Sequence, residues 1–235
     1  MKKRLAPLFQ CFLTKPERIL GFCFLGVHIL LLPLVMGMMK TYLPGTLTDA
    51  QWETMRLLVS FLLIIACLRP MLLRDWDRLC DNKLPCILAL IPSHLVCIGL
   101  TLAVSLVLVL LPGDLMTAYD ELLPEFISRN GRSMLVPLVF LAPITEEVLF
   151  RGVLFGTLRE KNRALAYIVS LGVYIAFSTF PYALNSSWLP AVFYALDILP
   201  FAFALTWCYE HVGTIWTPVL YHALYNLITV LMQKT

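Results

Sequence analysis

The chain has 235 residues, of which 60% are hydrophobic and only 14% charged, with a formal net charge of +3. A soluble domain carries roughly 25% charged residues, so this composition excludes an ordinary water-soluble fold and indicates a membrane protein that crosses the bilayer repeatedly. Neither a basic run nor an aromatic-interleaved patch is present, which argues against nucleic acid as a partner.

A membrane span needs about 20 mainly apolar residues. In chain order the sequence predicts about seven: 19–39, 55–73, 85–111, 134–158, 164–184, 189–209 and 213–232. Met1-Lys2-Lys3-Arg4 precedes the first, but no small-residue cleavage site follows it, so that span is read as uncleaved. The second is the weakest, because its apolar core from Leu57 to Leu68 is short and flanked by Arg56 and Arg69; it fits a tilted or half-buried helix. The third is long, and Pro92 is expected to divide it. Segment 112–133 carries Asp114, Asp120, Glu121 and Glu125 and reads as a solvated loop. The expected fold is an all-α, polytopic transmembrane helical bundle forming one structural unit. Residues 1–133 supply N-terminal helices and loops, and residues 134–235 form the core that carries the polar site.

Lysine and arginine set the orientation of such a bundle. Lys2, Lys3, Arg4, Lys15, Arg18, Arg69, Arg74, Arg78, Lys83, Arg159, Lys161 and Arg163 fall on one side of the seven spans. Lys40, Arg129, Arg132 and Lys234 fall on the other. The richer side, which includes the N-terminus, is assigned to the cytoplasm. The seven cysteines are scattered without a C-x-x-C pair and read as small apolar residues.

The span at 134–158 contains Thr145-Glu146-Glu147-Val148-Leu149-Phe150-Arg151-Gly152. Ionisable residues at membrane depth are costly and mark a functional site by default. Glu147 and Arg151 are separated by one helical turn and can pair, whereas Glu146 projects about 100° away. The last span carries His222 and Asn226 with the same spacing, at a depth comparable with the glutamates when counted at about 1.5 Å per residue. Antiparallel packing of the two spans would bring the groups together. Burial penalises the charged form of a carboxylate and makes it a usable general base or acid. A histidine and an amide opposite could donate to a developing oxyanion. These parts suit attack of water on a peptide carbonyl. Asp197, with Pro200 three residues on, is a further intramembrane acid, read as an interhelical contact that could also line the same cavity or pair with His222 or Arg151. His28 and His94 read as structural contacts, and His211 as part of a short cytoplasmic turn.

The pattern resembles the CPBP family, comprising type II CAAX prenyl endopeptidases and bacterial relatives that include Abi-like bacteriocin-immunity proteins. The family pattern is E-E-x-x-x-R, then F-x-x-x-H, then H-x-x-x-N, each in a membrane helix. Glu146-Glu147-x-x-x-Arg151 matches the first and His222-x-x-x-Asn226 the last, with Gly213-Thr214-Ile215-Trp216-Thr217-Pro218 resembling the usual turn into that helix. The resemblance covers about 134–232. It implies an intramembrane endopeptidase of the cytoplasmic membrane of a prokaryote. Glu146 would activate water against a peptide bond of a membrane-associated substrate, Glu147 and Arg151 would support it, and His222 and Asn226 would stabilise the oxyanion. No cofactor is expected. Glu146 and His222 would be the ligands if a metal such as zinc were present, but a zinc site usually takes three protein ligands and this set is poor.

The middle motif departs from the pattern. Phe177-Ser178-Thr179-Phe180-Pro181 is its best alignment, so Pro181 stands where the family has its second histidine. A proline there can neither donate nor hold water, and it is expected to kink or end the helix. The alternative is therefore a catalytically impaired member that binds and regulates a membrane partner.

Overall fold

The computed structural model describes residues 13–110, 134–185 and 188–232, the side chains of 181–190 excepted. Segment 112–133 and the outlying Lys2, Lys3, Arg4, Arg129, Arg132 and Lys234 lie outside the described residues, as does the side chain of Pro181. Seven helices follow one another among the described residues, and each predicted span falls on one of them. They are α1 (Lys15–Tyr42), α2 (Asp49–Asp81), α3 (Lys83–Val109), α4 (137–159), α5 (Arg163–Asn185), α6 (Trp188–Val212) and α7 (Trp216–Met232). Five of them, α1, α2, α3, α5 and α6, are long and apolar enough to cross a membrane over the residues described.

α1 and α2 begin with side chains that close their first turns. The Thr14 amide donates to Glu17 at 2.8 Å, and the Thr48 amide donates to Gln51 at 2.8 Å while the Gln51 amide donates back to Thr48. Such reciprocal bonds satisfy backbone donors that a helix start leaves free. α2 is longer than the sequence suggests, at 33 residues. Arg69, Arg74 and Arg78, expected between spans, continue the helix. Its buried residues Trp52, Arg56, Ser60, Ile64, Leu68, Met71 and Asp75 recur every three or four positions, the stripe of a helix that packs on one face.

α3 is divided, but at Ala89 rather than at Pro92. The proline acts one turn upstream of itself, where its ring opposes the preceding carbonyl and its missing N–H leaves that carbonyl free. Beyond the break, only Ser93, Cys97 and Leu108 are buried, and the remaining face is apolar and exposed. In α5 the helix does not end at Pro181; it continues to Asn185. α6 likewise runs through Pro200 and on to Val212, so His211 lies in its last turn rather than in a loop, with Nδ1 2.8 Å from the Trp207 carbonyl.

α4 is the centre of the bundle. Every residue from Glu147 to Phe155 is buried. It packs against α1, α5 and α7. Gly21 of α1 permits the first of these contacts, since a methyl group there would sit 2.6 Å from Val153. α4 is wound partly as a π-helix, over Pro137–Leu141 and again over Glu147–Phe155. The first of these wide turns ends as Ala142 donates to the Pro137 carbonyl. The next donor in that register would be residue 143, which is proline, so the Leu138 carbonyl lacks its helical partner. α1 shows the same arrangement, a π turn over Val27–Leu31 placed just before Pro33. A widened turn is one way to relieve the clash between a proline ring and the carbonyl behind it.

Ion pairs tie the helix ends together at one side of the bundle. Arg74 of α2 holds Glu17 of α1 at 2.6 Å, and Arg18 of α1 holds Glu160 at 2.6 Å. Glu210 of α6 receives Arg159 and Arg163, and also the Tyr167 hydroxyl at 2.8 Å.

Candidate active site

The π turn that starts at Glu147 separates the two glutamates. Glu146 closes the preceding α-helical turn and is half-buried, while Glu147 is fully buried. Arg151 lies one turn below Glu147, also fully buried, and its Nη1 donates to Glu147 Oε1 at 3.1 Å. That is the pair expected from their spacing. Arg151 is fixed further by its Nη2, which donates to the Ala202 carbonyl of α6 at 3.2 Å, and by the Tyr174 ring, whose centroid is 4.1 Å from the guanidinium carbon. Thr206 donates to the same Ala202 carbonyl at 2.9 Å.

α7 runs antiparallel to α4. His222 meets Glu147 and Asn226 meets Leu138, so rising numbers on one helix meet falling numbers on the other. His222 places Nδ1 2.8 Å from Glu147 Oε1. The ring edge is also packed against Phe201 at 5.1 Å between centroids. Nδ1 is thus held by a carboxylate, and Nε2 lies on the far edge of the ring. Asn226 donates Nδ2 to the Leu138 carbonyl at 2.8 Å, the acceptor that Pro143 leaves without a helical donor. One amide proton of Asn226 is thus already engaged on the backbone.

Glu146 faces a different set of neighbours: Tyr174 on α5, His222 on α7 and Arg56 on α2, besides Glu147 itself. The glutamates, Arg151 and His222 therefore share one buried cluster. Polar atoms remain unmatched within it: Glu147 Oε2, Arg151 Nε and the Thr145 hydroxyl are buried with no hydrogen-bond partner. Buried polar atoms in a protein interior are mostly hydrogen-bonded, so each of these three calls for an explanation.

Asp197 shares a neighbour with Glu146, the Tyr194 side chain. It is exposed, and its electrostatic neighbours are Cys97, Tyr194 and Tyr225. His28 is buried against Ser60 at 2.9 Å and beside the Phe177 ring at 4.9 Å, and His94 contacts Tyr221 at 3.2 Å. Both are the structural contacts expected of them.

One residue gains a role that the sequence did not show. Asp75, near the end of α2, accepts from the Ile215 amide at 2.6 Å and the Thr214 hydroxyl at 2.8 Å. It thereby caps the start of α7 and sets the height at which His222 enters the bundle. Gly213 makes the turn before it with φ of +70°, a conformation that glycine adopts without strain. Arg56, a span-flanking charge in the sequence, is buried.

Among the described residues no group of three His, Cys, Asp or Glu side chains is placed to hold a metal ion. The chemistry of the cluster also fits a cation poorly. The Glu147 oxygen nearest His222 is taken by Arg151, whose fixed positive charge would oppose a metal there.

No curated protein and no solved structure matches the chain. Residues 129–228 match the family model described as Type II CAAX prenyl endopeptidase Rce1-like, and this segment, through which the chain of this integral membrane protein resembles the CPBP family, contains Glu146, Glu147, Arg151, His222 and Asn226.

Proposed function

We propose that the protein is an intramembrane endopeptidase in which Glu146 activates water for attack on a peptide bond of a membrane-associated substrate. The observation that carries this reading is the division of labour between adjacent carboxylates: Glu147 is committed to Arg151 and His222, and Glu146 faces the same cluster without sharing those bonds. Two carboxylates whose surroundings differ this much are suited to different protonation roles. His222, anchored through Nδ1, donates from Nε2 to the oxyanion, and Asn226 offers its second N–H. The membrane-associated substrate presents a hydrophobic or lipidated C-terminal tail from the cytoplasmic side, the side on which Arg151 and residues 159–163 lie in the orientation that places the N-terminus in the cytoplasm. The cytoplasmic membrane of a prokaryote is its proposed location.

Pro181 favours a second reading, in which the site binds and regulates a membrane partner without cutting it. Loss of a proton-transfer partner typically costs about 10²–10⁴ in rate. The test is cleavage of a panel of membrane peptides by wild type, Glu146→Ala and Pro181→His. Cleavage by wild type that is lost in Glu146→Ala establishes the protease. Inertness of both wild type and Pro181→His across the panel removes most of the support for the protease.

A further inference from the structure

Much of the exposed surface of the bundle is apolar, as on α3, and a bilayer covers such a surface without selecting any one molecule. One stretch differs in being concave and in ending on a fixed charge. Between α5 and α6 lies a groove of about 480 Å³. Ala164, Tyr167 and Ile168 wall it on one side and Phe203 and Trp207 on the other, with Arg163 at its head. Positions 164 and 168 are one turn apart, as are 203 and 207, so each helix gives the groove a single face. The Tyr167 and Phe203 rings join the two walls at 5.4 Å between centroids.

The head of the groove is held in place. Arg163 donates Nε and Nη2 to Glu210 Oε2 at 3.2 and 2.9 Å, and the Tyr167 hydroxyl donates to the same oxygen at 2.8 Å. These bonds lock the cation to the aromatic wall and use two of the guanidinium nitrogens. Nη1 is left for another acceptor, on a side chain that is 60% exposed. Charge at this end of the bundle does not cancel: Arg18, Arg159, Lys161 and Arg163 stand against Glu160 and Glu210 alone. Arg163 opens the apolar stretch of α5 and Val212 closes that of α6, which sets both at headgroup height in a membrane. Phe203 precedes Val212 along α6 and lies about 13 Å deeper at 1.5 Å per residue. The groove therefore joins a cation at headgroup height to apolar walls at acyl-chain depth.

We propose that this groove is a binding site for one anionic phospholipid, with its phosphate on Nη1 of Arg163 and one acyl chain between the walls of α5 and α6. Arginine suits phosphate recognition, and a surplus of cations beside the bilayer favours a lipid of net negative charge over a zwitterionic one. Full-length protein in neutral detergent is mixed with phosphatidylglycerol, or with phosphatidylcholine of the same chains, and native mass spectrometry counts the lipids retained. Wild type is expected to retain phosphatidylglycerol several-fold more than phosphatidylcholine. Arg163→Gln is expected to abolish that preference. Ala164→Trp, which fills the groove and leaves the cation, is expected to lower phosphatidylglycerol retention several-fold. Lys83→Gln removes a charge outside the groove and is expected to change nothing. Equal retention of the two lipids by wild type overturns the proposal. So does an equal loss in Arg163→Gln and Lys83→Gln, which a diffuse surface charge would give. A doubled mass in lipid-free wild type that disappears in Ala164→Trp also overturns it, because a second copy of the chain then fills the groove. The melting temperature of each variant in the same detergent reports its folding. Ala164→Trp removes no ion pair and carries the test if Arg163→Gln does not fold.

Discussion

The molecule pairs charges at its helix ends and in its middle, and it does so differently. At the helix ends, Glu210 divides its oxygens among three donors, with Arg159 on Oε1 and Arg163 and Tyr167 on Oε2. Those arginines are partly exposed, so water completes whatever the protein leaves open. In the middle of the bundle, Glu147 Oε1 takes both Arg151 and His222 while Oε2 has no partner, and neither Glu147 nor Arg151 is exposed at all. The ends hold helices in place with adjustable contacts. The middle holds a fixed geometry with unmatched atoms, an arrangement that stability alone does not favour.

The comparison breaks most decisively at Arg151. Arg151→Leu leaves Glu147 charged and buried without its cation, and the expected loss is about 3–5 kcal/mol in detergent-based denaturant unfolding. A loss near that of an end pair would show the middle to be as adjustable as the ends. Asn226→Leu removes the donor on the Leu138 carbonyl and is expected to cost about 1–3 kcal/mol by the same measurement. A smaller effect, about 1 kcal/mol, is expected for Glu210→Gln, and added salt should narrow its difference from wild type. Salt should leave the Arg151 variant's deficit nearly untouched, which is a second way to separate the regions. Least of all, Lys40→Ala breaks an exposed pair with Asp49 and is expected to change stability by about 0.5 kcal/mol or less.

Much of the middle region was legible in the sequence because helix periodicity alone relates its members. Spacing predicted the Glu147–Arg151 pair, and counting depth along two antiparallel spans brought His222 to the same level. Periodicity could not say which glutamate His222 would choose, since that depends on the change of winding that begins at Glu147. Nor could it show that Asn226 would serve a backbone carbonyl. That need arises from the π register before Pro143, a feature with no simple sequence signature. Arg56 and Asp75 were hidden for another reason. Charges near the ends of an apolar run read as flanks, and only the length of α2 shows that Arg56 is enclosed and that Asp75 reaches the start of α7.

Pro143 and Asn226 have a consequence for how this chain can change over time. The proline creates an empty acceptor and the asparagine fills it, so the two positions are not independent. Losing Asn226 first strands the Leu138 carbonyl in an apolar interior. Replacing Pro143 first restores a main-chain donor, after which residue 226 becomes free to vary as far as the backbone is concerned. The order of substitution therefore decides which descendants of this sequence are reachable, and a double-mutant cycle between Pro143→Ala and Asn226→Leu should show that dependence as a departure from additivity.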